Sequence, residues 1–315
     1  MEQDKQQEYK HGLMYISSAF LLWGFLPIYW KSFVGVVPYE ILCERIVWAC
    51  VSMLIWIVAT GRWQSFYQET KGIFADRKQT LLLFAASISI SLNWGLFIVA
   101  VNAGMITQSS LGYYINPLVS ILFGVYYFKE RLTFWTKVAV AFASIGVLVM
   151  IIRVGEIPWM SFGMALTFAV YGLLKKLVKT TVVTGLTLET VIVTPLALMY
   201  IHYLYAQGIS SWQLGSTTIT TLVVCSGAIT AVPLLLFSAG ARLVPLNVAG
   251  FMQYISPTIS LGLGIFLYGE VFTMDHLLAF GLIWMGLLLF TLSQTKWFNT
   301  LLEKFLVDRS LNPED

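Results

Sequence analysis

Three ionisable side chains lie inside long apolar stretches of this chain: Glu44 and Arg45 within residues 39–60, and Glu189 within residues 186–206. A charge in hydrocarbon is costly, so such residues pair, line a wet cavity or carry protons. A buried carboxylate can take up and release a proton, which makes Glu44 and Glu189 candidates for coupling or gating. Glu44 stands about two turns from one helix end and Glu189 about one turn, so each is also near enough to reach water in a purely structural role. Adjacent residues on a helix point about 100° apart, so Arg45 must find its partner on another helix rather than in Glu44.

A second set is polar but uncharged. Asn93 and Trp94, then Tyr113, Tyr114 and Asn116, then Tyr171, then Gln253 and Tyr254 fall near the centres of apolar stretches. Rings supply contact area and amides supply orientation, so this set is the candidate lining of a cavity for a neutral or amphipathic ligand. Interhelical packing is the alternative role for any one of these tyrosines. Pro117 and Pro257 follow at matching depths. Each lacks an amide hydrogen and crowds the carbonyl four residues back, freeing Tyr113 and Gln253 and marking either a hinge or a static kink. His11, His202 and His276 have no carboxylate or thiol at ligand spacing, and no phosphate-binding loop is present. No metal and no cofactor are expected.

These residues need a scaffold in lipid. Hydrophobic residues make up 58% of the 315 and charged residues only 11%, which excludes a water-facing fold. A bilayer core needs about 20 apolar residues per helix, and ten such runs are readable: 12–30, 39–60, 80–101, 105–128, 134–152, 158–174, 186–206, 218–241, 246–268 and 275–294. Helices are expected throughout, because an open strand edge in hydrocarbon leaves amides unpaired. The expected fold is an all-α membrane protein of ten transmembrane helices.

Basic residues alternate with these runs. Lys5, Lys10, Arg62, Lys71, Arg77, Lys78, Lys129, Arg131, Lys137, Lys175, Lys176, Lys179, Arg242, Lys296, Lys304 and Arg309 collect on one side, against Lys31 and Arg153 on the other. That bias predicts both termini in the cytoplasm and a location in the cytoplasmic membrane of the cell. The net charge of +3 thus reflects topology, and no nucleic-acid partner is expected.

The second half repeats the first. A shift of 140 residues aligns Tyr114, Ile115 and Pro117 with Tyr254, Ile255 and Pro257, and Ser120, Gly124, Glu130, Ala139 and Gly146 with Ser260, Gly264, Glu270, Ala279 and Gly286. Five helices per half is an odd number, so the two repeats are expected to be inverted, a transporter architecture. The predicted units are 1–152, 153–295 and a cytoplasmic tail at 296–315, where Trp297, Leu301, Leu302 and Phe305 suggest an amphipathic helix. Small residues such as Ala139 with Ala143, and Ser238 with Gly240, permit a homodimer contact.

Several segments resemble the RarD group of EamA-type permeases. They are Trp23-Gly24-Phe25-Leu26-Pro27 with Tyr29 and Lys31; Pro38 with Glu40 and Arg45; Asn93-Trp94 with Leu96 and Phe97; Gly112-Tyr113-Tyr114-Ile115-Asn116-Pro117; and Gln253-Tyr254-Ile255 with Pro257, Tyr268, Gly269 and Glu270. The resemblance covers nearly the whole chain and implies the drug/metabolite transporter superfamily: ten helices in two inverted halves around a cavity open to one side at a time. Glu44 stands where that pattern has histidine and Ser256 where it has glycine. The expectation is therefore a secondary transporter, an exporter of small amphipathic metabolites or drugs, working by alternating access with proton coupling as an option. Its partners would be a small-molecule substrate and the lipid bilayer. A passive channel, or a receptor or assembly factor that does not transport, stands as the alternative; an enzyme does not, since nucleophile and base are unpaired.

Overall fold

A computed structural model describes residues 2–102, 106–154, 159–269 and 274–293. Every regular element among them is helical. The order is α1 (Glu2–Trp30), α2 (Pro38–Ala59), α3 (Trp63–Ala75), α4 (Arg77–Asn102), α5 (Ile106–Tyr127), α6 (Phe134–Val154), α7 (Trp159–Leu177), α8 (Val182–Ala206), a 3-10 turn (Ser211–Gln213), α9 (Thr217–Leu243), α10 (Leu246–Met252), α11 (Ile255–Tyr268) and α12 (Met274–Ser293). Within the described residues the ten apolar runs are helical, apart from a turn inside 246–268, and eight stretches are long and apolar enough to cross a bilayer, with α10 and α11 counting as one. The other two runs are α5, which opens on Thr107, Gln108, Ser109 and Ser110, and α7, which closes on Lys175 and Lys176. The chain is an all-α, multi-pass membrane protein.

Its outward faces are greasy, as lipid requires: Leu81 is 70% exposed and Phe266 89%. The interior is held by close backbone approach. A Cβ at Gly146 would lie 2.6 Å from the carbonyl oxygen of Ala279, and one at Gly286 would lie 2.7 Å from that of Ala139. The α6–α12 crossing is thus the same contact made twice with the partners exchanged by 140 residues. Small residues allow it, because dispersion at short range replaces the missing hydrophobic drive between helices in lipid. Ala139 and Ala143 are buried in this crossing, and Gly240 lies against α1 at Gly12 and Ile16.

Near the two prolines the halves also bond each other, although the acceptors are not exact counterparts. The Tyr254 hydroxyl donates to the Tyr114 carbonyl at 3.3 Å, and the Tyr114 hydroxyl donates to the Pro257 carbonyl at 3.2 Å. Lys129 (φ 55°) and Gly269 (φ 67°), also 140 apart, both take the left-handed conformation after α5 and α11. In the packing, α1 lies on α9 as α7 lies on α4.

Three features were not expected. Residues 246–268 form two helices with a turn at Gln253 and Tyr254, where Pro257 has no amide to give the Gln253 carbonyl. At Pro117 the helix runs on unbroken. Between α2 and α4, α3 lies with Ile73 and Phe66 packed on Leu83, Leu188 and Ile192, while Trp63 and Tyr67 face outward. Lys175 and Lys176, read from sequence as loop cations, belong to the last turn of α7. Glu270 and the tail at 296–315 lie outside the described residues.

Candidate functional site

Two clusters of buried polar groups mark opposite ends of the helix bundle. The first gathers where α7 ends and α8 begins. Thr181 caps α8 by accepting from the Thr184 amide at 3.3 Å, which fixes the first turn, and Glu189 follows two turns on. Its carboxylate accepts from Lys175 Nζ at 2.8 Å and from the Tyr171 hydroxyl at 3.1 Å. Lys175 and Glu189 are 1% and 3% exposed, so this is a fully buried ion pair. Tyr171 and Lys175 share a face of α7 because they are four residues apart. The Tyr171 ring stacks on Phe237 of α9. Arg242 closes the cluster from the end of α9, donating to the Thr180 carbonyl.

Glu69 of α3 lies at the same end. It accepts from the Thr181 amide at 3.0 Å and from the Thr180 and Thr181 hydroxyls at 2.9 Å each. Burial pushes its carboxyl up, but these hydrogen bonds, with one from Thr184, outweigh burial and hold it below its ordinary value. Glu130 performs a similar service for α10. Pro245 offers no side-chain cap there, and the Glu130 carboxylate instead accepts from the amides of Leu246 at 2.6 Å and Asn247 at 2.8 Å.

The second cluster surrounds the start of α2, where Pro38 opens the helix. Glu40 accepts from Ser210 and from both the amide and hydroxyl of Ser211, at 2.6 to 2.9 Å. Glu44, one turn further in, accepts from the indole of Trp212 at 2.6 Å and of Trp48 at 3.0 Å. Arg45 points elsewhere. Its guanidinium carbon sits 4.1 Å above the Trp94 ring of α4 and 5.4 Å from the Trp30 ring of α1. Tyr113 of α5 lies within electrostatic reach of Arg45, next to Phe97, and keeps 43% of its surface open.

The expected cavity lining therefore divides. Trp94 and Tyr113 stand together with Arg45. Asn93 is buried and donates to the Met164 carbonyl at 2.7 Å, tying α4 to α7. Gln253 donates to Ser120 at 3.0 Å, and Tyr114 and Tyr254 bond each other's segments. Asn116 and Gln253 each hold a buried carbonyl oxygen without a partner. Tyr171 joins Glu189 at the first cluster. A cavity of about 10 Å³, at the lower limit for one water, lies between them, lined by Trp94, Tyr171, Glu189 and Thr190 among others.

Sequence reasoning missed Lys175, Arg242, Trp30 and Trp212. A signal existed for Lys175, four residues after Tyr171, and for Trp48, four after Glu44. None existed for Trp212, which lies 168 residues from Glu44.

The sequence profile of the EamA-like transporter family matches residues 10–152. A Bacillus subtilis protein named uncharacterized transporter YojE is 41% identical over 92% of this chain and 96% of its own length. Proteins named RarD are 36% identical in Streptomyces exfoliatus, over 91% of this chain and 90% of theirs, and 32% identical in Escherichia coli, over 90% and 94%. A solved crystal structure superposes with a TM-score of 0.66 at 18% identity, over 88% of this chain and 96% of the other, which is a likeness of fold alone.

Proposed function

Since this chain belongs to the EamA-like transporter family and to its RarD group, we propose that it is a secondary transporter working by alternating access. The Bacillus subtilis relative is named a transporter, not an enzyme. In this reading two inverted five-helix repeats, ten crossings in all, surround a central path in the cytoplasmic membrane of the cell, with both termini inside. The Gly146–Ala279 and Gly286–Ala139 contacts, which exchange partners by 140 residues, support it, because reciprocal contact is what a two-fold axis produces.

The observation that carries the proposal is the difference between the two ends. At the Lys175 end, the path is shut by a dry ion pair under the stacked rings of Tyr171 and Phe237. Toward the other end, Arg45, Trp94 and Tyr113 keep accessible surface. A shut end opposite one whose side chains stay accessible is what a two-gate device at rest would present. Protonation of Glu189 would cancel its attraction for Lys175 and loosen the inner gate, so Glu189 is the first coupling candidate. Glu44, held by two neutral indoles, is its counterpart at the outer gate. Export of small amphipathic molecules is the direction proposed, with the Gln253–Tyr254 break beside Pro257 as the hinge; Pro117 lies in continuous helix.

Reconstitution into liposomes carrying a pH dye tests this reading. Substrate addition should move protons in the wild type, and Glu189→Gln or Glu44→Gln should remove the dependence on the pH gradient. Unchanged coupling in both variants would end the proton assignment. Cysteines placed at Lys129 and at Gly269 should label from opposite faces of the cell; labelling from one face would end the inverted-repeat arrangement.

A further inference from the structure

Arg45 is a charge without a counter-charge. Among the described residues no carboxylate reaches its guanidinium, and its Nε is buried with no hydrogen-bond partner. The nearest candidates are occupied: Glu44 accepts from Trp212 and Trp48, and Glu40 from Ser210 and Ser211. Trp94 and Trp30 offer their ring faces, but aromatic faces compensate a desolvated cation only in part. The donors of Arg45, on a side chain that keeps some accessible surface, are therefore left for a ligand.

We propose that Arg45 binds the carboxylate of the transported molecule, and that the substrates are small organic monoanions carrying a flat apolar body. The proposal rests on the transport reading above. A guanidinium pairs with a carboxylate through two parallel hydrogen bonds. One unpaired cation balances one negative charge, which favours a carboxylate over a doubly charged phosphate. Trp94 and Trp30 lie 4.1 and 5.4 Å from the guanidinium carbon as neutral rings, which steady the cation without neutralising it. Tyr113, 43% exposed, with Phe97 beside it at a ring distance of 6.1 Å, supplies a wall for the apolar body. A fixed cation thus joins the amide and aromatic lining, and selects for charge where that lining alone selects for shape.

The experiment uses the full chain in lipid nanodiscs and two probe pairs: indole-3-acetate against indole-3-acetamide, and 3-phenylpropionate against its amide. Calorimetric titration should show each carboxylate bound about ten- to a hundred-fold more tightly than its amide. Arg45→Gln should abolish that preference, the affinity for each carboxylate falling to that for its amide. Trp94→Leu, which retains the cation, should weaken both members of each pair and keep the preference, so the idea is tested even where Arg45→Gln fails to fold. Equal binding of acid and amide, absence of carboxylate binding, or a preference that survives Arg45→Gln would overturn it. Flux of the amides but not the acids in liposomes would remove the assignment of Arg45 and leave transport standing. Arg45-dependent carboxylate binding without flux of any probe would keep the site and remove the transport reading.

Discussion

Cutting one member of the Lys175–Glu189 pair should cost far more than cutting both. At 2.8 Å and an effective dielectric of about 20, the two charges attract by roughly 6 kcal/mol. Against this stands a desolvation cost of several kcal/mol for each ion, since both are almost wholly buried. The two sums nearly cancel, so the intact pair adds little net stability. Lys175→Met leaves Glu189 the Tyr171 hydroxyl and the field of the Arg242 guanidinium, and Glu189→Met leaves a buried ammonium beside that guanidinium with no counter-charge; each should lose about 3–5 kcal/mol, the glutamate variant more. The double variant should recover a large part of either loss, because methionines fill similar volume and bring no charge, the remainder being the counter-charge that Arg242 loses with Glu189. The assay is a double-mutant cycle on melting followed by tryptophan fluorescence in micelles at fixed scan rate, with each single variant melting about 10 °C lower. A double variant as unstable as the two losses combined would refute the reasoning, and so would a single variant that melts with the wild type. Under the proposed proton coupling, the double variant should also lose any response of transport to a pH gradient.

Glu69 predicts an acid limb. Its folded-state carboxyl sits below the ordinary value of 4.5, so its stabilisation is complete above that value and is lost as pH falls through the lower folded value. Glu69→Gln should flatten the decline in melting temperature below pH 4.5, and an unchanged slope would contradict the capping role. Gly227→Ala should be the most damaging glycine change, since its Cβ would lie 2.1 Å from the Trp48 backbone carbon. Gly146→Ala and Gly286→Ala should lose similar amounts, about 1–3 kcal/mol each, whereas the helical glycines Gly262 and Gly281, with open space around them, should gain up to about 1 kcal/mol as alanine; melting temperatures give the ranking. Lys129→Gly should stabilise by about 1 kcal/mol, because the left-handed conformation that glycine takes at position 269 is strained for lysine, and a lower melting point would contradict this.

What the amino-acid order decides here is local or periodic. Twenty-residue apolar runs demand helices in lipid whatever surrounds them, so all ten helical runs were legible, along with the 140-residue echo and the separation of basic loops. The cost of an isolated charge in hydrocarbon likewise singled out Glu44, Arg45 and Glu189 before any coordinates. What only the tertiary structure decided is who meets whom. A lysine near a helix end has the same sequence signature whether it faces water or a carboxylate, and the approach of α8 to α7 turned Lys175 inward. Identical spacing around Pro117 and Pro257 yielded one continuous helix and one broken at Gln253, because neighbouring helices, not proline alone, determine whether a freed carbonyl is tolerated. Trp94 lies 49 positions from Arg45, and no periodicity links them. Their contact exists because α4 and α2 bring those two faces together, and a cation held between rings without an anion is a property of that space, which no stretch of the chain contains by itself.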